Sequence, residues 1–96
     1  MTEEKMRIDV NGNIDFECRN HSEKRDVCIM CSTLKELLIS ACEIAGVDLD
    51  DALYEADGVV KMHIRGASYP LVETFRAAHE TYKKIADQFP WFLKIK

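Results

Sequence analysis

Apolar residues in the first 18 positions recur at every second place: Met6, Ile8 and Val10, then Ile14, Phe16 and Cys18. Arg7 and Asp9 point the other way, so the period predicts two half-buried strands, Lys5–Val10 and Ile14–Cys18. Asn11-Gly12 lies between them, a pair suited to a hairpin turn with positive φ at both positions. The period then changes. From Val27 the apolar residues fall at 27, 30, 31, 34, 37, 38, 41, 42 and 45, the spacing of a helix that buries one stripe and leaves Lys35 and Glu43 off it. Asp26 stands where an N-cap belongs, and Gly46 where a left-handed cap would end the helix. Thr33-Leu34-Lys35-Glu36 is a competing capping box, but the stripe reaching back through Met30 to Val27 favours the earlier start.

Val47–Asp51 is acidic and lacks the glycine and terminal glutamate of a calcium loop, so it reads as a solvated turn. Ala52–Ala56 and Val59–Arg65 flank Asp57-Gly58 as a second hairpin. Val60, Met62 and Ile64 face inward there, which leaves His63 exposed. Ser68 is positioned to cap a helix with Pro70 in its first turn, striped by Leu71, Phe75, Ala78, Tyr82, Ile85 and Phe89. His79 flanks that stripe as a packing or surface residue. Pro90 stops the helix, and Trp91–Lys96 returns to the sheet as a last strand. The expected fold is α+β: a ββαββαβ sandwich in which two long helices pack on one face of a mostly antiparallel sheet.

Composition narrows the function classes. A chain of 96 residues is one domain, and 47% hydrophobic residues exclude disorder. The net charge of −4 argues against a nucleic-acid surface, which needs concentrated basic charge. No apolar run approaches a membrane span and the first residues do not read as a signal peptide, so a cytoplasmic location is expected. In that compartment Cys18, Cys28, Cys31 and Cys42 point to thiols or ligands rather than disulfides. Cys31 and Cys42 lie on the apolar stripe, where a thiol serves as a small buried hydrophobe.

Two chemistries compete for the stretch between Cys18 and Cys31. Cys28 would sit in the first helical turn, where unsatisfied N–H groups, the helix dipole, Lys24 and Arg25 favour a thiolate. His21, seven residues back on a charged loop, is the candidate base. The same N–H groups could receive an oxyanion, with Ser32 one turn along. Alternatively, Cys18-x-x-His21 and Cys28-x-x-Cys31 make four soft metal ligands, although the pairs are closer together than in zinc fingers. A redox Cys-x-x-Cys is a third reading, without the βαβ context it needs. Spacing alone does not separate these from cysteines that merely fill a core.

Asn20-His21-Ser22, Arg25-Asp26-Val27-Cys28-Ile29-Met30-Cys31-Ser32-Thr33-Leu34 and the ending Asp87-Gln88-Phe89-Pro90-Trp91-Phe92-Leu93-Lys94-Ile95 resemble, in order and over the whole chain, the ribosomal-processing cysteine protease family (Prp). That family has Gly-His-Ala after its second strand and a helix opening close to Asp-Ile-Val-Cys-Ala-Ala-Val-Ser-Ala-Leu. The resemblance implies a cysteine endopeptidase, without cofactor, that trims the N-terminal segment of a large-subunit ribosomal protein. It puts the nucleophile at Cys28, the histidine at His21 and the motif serine at Ser32, and it implies a homodimer. Here Asn20 replaces the glycine before the histidine, and the loop to Cys28 is shorter than the family's. Arg25 holds the aspartate position, with Asp26 adjacent as a supporting carboxylate.

Overall fold

Strand alternation begins earlier than the apolar pattern places it. In the computed structural model, which describes residues 1–96, β1 spans Thr2–Ile8 and β2 spans Ile14–Arg19, paired antiparallel from Glu3↔Arg19 to Ile8↔Ile14. Thr2 and Glu4 continue the inward row of Met6 and Ile8 and are themselves buried. The connection differs from a two-residue turn. The Asp9 carboxylate accepts the N–H groups of Asn11 and Asn13 (2.9 and 3.0 Å), and only Gly12 takes a positive φ, 78°. Val10, expected to face inward, is on that loop and fully exposed, because the strand has already ended at Ile8.

Helix α1 spans Arg25–Ile44, starting ahead of the expected Asp26 cap. Lys24 is the N-cap residue, and its own N–H is taken by Ser22 Oγ at 3.1 Å. Asp26 therefore lies inside the first turn and caps nothing. The Thr33 alternative fails because its hydroxyl donates to the Ile29 carbonyl (2.8 Å) within the helix. At the other end Gly46 has φ 78°, with Val47 N–H donating to Cys42 O and Gly46 N–H to Glu43 O, a Schellman termination. The acidic connector coils rather than remaining a turn: α2 spans Leu49–Ala52, with the Asp48 carboxylate accepting from Asp50 N–H.

Strands β3, Leu53–Ala56, and β4, Val59–Ile64, form the second hairpin, whose turn again has positive φ only at its glycine, Gly58. Helix α3 spans Tyr69–Gln88, and β5, Leu93–Ile95, pairs parallel with β1. The five strands lie in the order β3-β4-β2-β1-β5. Both long helices pack on one face of this sheet, as the sequence pattern predicts. No helix is long and apolar enough to cross a membrane.

The core is where the three apolar surfaces meet. Phe16 from β2 approaches Phe75 edge-on (centroids 6.4 Å apart, planes at 74°) and Tyr82 at 5.9 Å. Val27, Leu38 and Cys42 of α1 close over them with no exposed surface. Each large apolar side chain so buried stabilises the fold by about 1.5–3 kcal/mol. Two polar features interrupt this core. Tyr82 donates its hydroxyl to the Cys31 carbonyl at 3.2 Å. The Glu4 carboxylate, wholly buried, accepts from His79 Nδ1 at 2.8 and 3.0 Å, so His79 is the hydrogen-bond partner of a buried acid rather than a packing residue.

Candidate active site

The end of β2 sets the position of His21. Asn20 adopts φ 70°, a left-handed conformation that asparagine tolerates better than most residues. Two groups hold it there: its N–H donates to Gly58 O at 2.6 Å, while the buried Thr2 Oγ1 donates to its carbonyl at 3.0 Å. The chain so turned brings the imidazole against the β3–β4 hairpin. A methyl added at Gly58 would stand 3.9 Å from both His21 Cδ2 and Nε2.

Cys28 enters from the opposite wall. The helical period puts Cys28, Ser32 and Lys35 on one side of α1, facing the hairpin. Between them lies a cleft of about 280 Å³ whose lining includes Cys18, His21, Cys28, Cys31 and Ser32. Asp26 is exposed at the helix start and does not line it. The structure thus gathers every proposed catalytic or metal-ligating residue into one cavity and leaves Asp26 outside. Cys28 and His21 face the same space without a hydrogen bond between them.

The electrostatics of the cleft separate its thiols. Burial, reinforced by the Glu4 charge, pushes Cys18 up to about 11, and burial pushes Cys31 up to about 12. Both stay protonated at neutral pH. Lys35 bridges from α1 to β3, its Nζ 2.8 Å from Glu36 Oε1 and 3.5 Å from Glu55 Oε2. The Glu36 carboxylate, with Glu55 assisting, raises its pKa and keeps it cationic.

Two details of the helix start differ from expectation. The Cys28 N–H already donates to Lys24 O at 3.1 Å, so the unpaired N–H groups belong to Arg25, Asp26 and Val27. None of those three lines the cleft. The polar side chains of α1 that line the cleft with Cys28 are those of Ser32 and Lys35. No three His, Cys, Asp or Glu side chains converge as metal ligands would. Cys31 is 6% exposed and turned under α1, whereas His21 stands on the far wall over Gly58.

Sequence reasoning missed Lys35, Thr2, Glu55 and Gly58 as cleft residues. Lys35 was accessible to it, being seven residues, two helical turns, beyond Cys28. The others come from strands that pair only in the folded sheet. No family model matches the chain, and no curated protein matches it in sequence. Among solved structures it is similar to SMU.848 from Streptococcus mutans, with a TM-score of 0.74 and 22% identity over 100% of this chain and 96% of that one. At that identity the likeness shows the fold, shared from end to end.

Proposed function

We propose that this chain is a cysteine endopeptidase of the ribosomal-processing type, acting on the N-terminal segment of a large-subunit ribosomal protein. The observation that carries the reading is that Cys28, His21 and Ser32 line one cleft, the first on α1 and the imidazole against the β3–β4 hairpin. His21 takes the thiol proton and Cys28 Sγ attacks the scissile carbonyl carbon. The carbonyl oxygen becomes an oxyanion held by the Ser32 hydroxyl and the Lys35 ammonium. Collapse breaks the C–N bond, and the imidazolium gives its proton to the leaving amine. Water, deprotonated by His21, then releases the acid and restores the thiol. Catalytic hydrogen bonds often tighten only with substrate in place, and here a swing of His21 off Gly58 toward Cys28 is the motion required. The same reading carries a homodimer, for which Leu37 and Ile44, 52% and 90% exposed on α1, supply apolar surface.

The test is cleavage of a peptide copying the N-terminal extension of the host's ribosomal protein, followed by mass spectrometry. The wild-type chain cuts it at one bond, and Cys28→Ala and His21→Ala do not. A Cys28→Ala chain that cuts at an unchanged rate refutes the proposal.

A further inference from the structure

The net charge of −4 conceals an uneven distribution. The sheet face turned away from the helices carries Lys5, Arg7, Arg19, Lys61 and Lys94, against only Glu3, Asp15 and Glu17. On the strand positions these are five of the 13 basic and three of the 17 acidic side chains, +2 against −6 for the rest of the chain, and Arg65 and Lys96, just past β4 and β5, reach the same face.

Its acids are already engaged. Glu17 pairs with Arg19 (3.0 Å) and Lys61 (3.5 Å), Asp15 with His63 (2.6 Å) and Arg65 (3.4 Å), and Glu3 with Lys96 (3.1 Å). Lys5, Arg7 and Lys94 have no such partner. Lys5 and Arg7 follow one another on β1 at a two-residue step of about 6.7 Å, and Lys94 stands beside Glu3 on the neighbouring strand, one such step before Lys5. The row through Lys5 also crosses Glu17 and Lys61 and ends at Tyr54, 56% exposed.

We infer that this open sheet face binds single-stranded RNA, its phosphates on Lys5, Arg7, Lys61 and Lys94 and a base stacked on Tyr54. A track of cations, three of the four without a salt-bridge partner, suits a linear polyanion, and an exposed aromatic at the end of a basic track is how sequence-tolerant single-strand sites are built. The face lies across the sheet from Cys28 and His21, so the inference stands or falls apart from the peptidase reading.

The experiment is fluorescence anisotropy of a labelled 12-nucleotide oligouridine titrated with the full chain at 50 and 200 mM salt. Four phosphate contacts give a log–log salt slope of roughly −2.8, a weakening of about 50-fold between the two salts. Lys5→Gln/Arg7→Gln halves that slope to about −1.4. Tyr54→Ala weakens binding roughly tenfold at unchanged slope. Absence of binding at 50 mM salt, a slope the double substitution leaves unchanged, or equal affinity for polyglutamate or for anionic phospholipid vesicles would overturn the inference.

Discussion

Replacing His79 by alanine strands a carboxylate in the core. Glu4 is 0% exposed and its only side-chain partner is His79 Nδ1, at 2.8 and 3.0 Å. Desolvation raises the Glu4 pKa, while the hydrogen bond and charge of His79, and more weakly Lys83, pull it back. Removing one member of a buried pair costs about 3–5 kcal/mol. The His79 side chain is 21% exposed, so water can enter the vacated space, and the expected cost is the lower figure, ~3 kcal/mol. For a domain of this size that lowers Tm by roughly 12–24 °C. In a Glu4→Gln background no charge is stranded, and His79→Ala should cost only the ~1 kcal/mol of a neutral hydrogen bond. Urea unfolding followed by far-UV circular dichroism on the four corners of this cycle gives the coupling, expected at ~2 kcal/mol. The pH dependence has a fixed sign. Because folding raises the Glu4 pKa above 4.5, the folded state keeps that proton longer than the unfolded chain. Its contribution to stability is therefore full below 4.5 and is lost as pH rises through the folded value, and Glu4→Gln should abolish that falling limb. Equal costs of His79→Ala in both backgrounds would refute the reasoning.

Further expectations concern the backbone and the thiols. Asn20→Val should destabilise the chain by about 1–2 kcal/mol in the same unfolding assay, because a β-branched residue resists φ 70°, whereas Asn20→Gly should change stability by less than ~0.5 kcal/mol. Gly12→Ala should cost at least ~2 kcal/mol, since φ is 78° and the new Cβ would stand 2.8 Å from the Ala67 carbonyl oxygen. Brief iodoacetamide treatment at neutral pH should alkylate Cys28 first, read by peptide mass spectrometry, because burial raises Cys18, Cys31 and Cys42 to about 11, 12 and 11.

Much of the fold was legible because its two periods are clean. Val60, Met62 and Ile64 alternate into the core as read, and Leu71, Phe75, Ala78, Tyr82 and Ile85 are the buried stripe of α3. What escaped depended on polar residues in apolar positions. Thr2 and Glu4 occupy the inward row of β1, but a threonine and a glutamate carry no apolar signal, so the strand seemed to begin at Lys5. The partner that makes Glu4 tolerable, His79, is 75 residues away. The helix start was misread by two residues for a related reason: the side chain that steadies the entry, Ser22, bonds the N-cap's own N–H and not a helical one. His21 and Cys28 were singled out from residue type, spacing and the family resemblance, and the fold brings both to one cleft, whereas the hairpin that walls it meets α1 only in the folded sheet.

The first strand ties these observations together. Thr2 holds the Asn20 carbonyl that orients His21, and two residues later on the same strand face Glu4 holds His79. The left-handed asparagine ahead of the histidine is then held by an anchor on each side, Thr2 Oγ1 on its carbonyl and the Gly58 carbonyl on its N–H. A glycine needs no such anchors to visit φ 70°; an asparagine is helped to stay there by both. In the His79→Ala chain the disturbance at the cleft should therefore fall on the imidazole, through Thr2 and the Asn20 carbonyl, rather than on the sulfur that α1 carries, which chemical shifts of His21 against those of Cys28 would check.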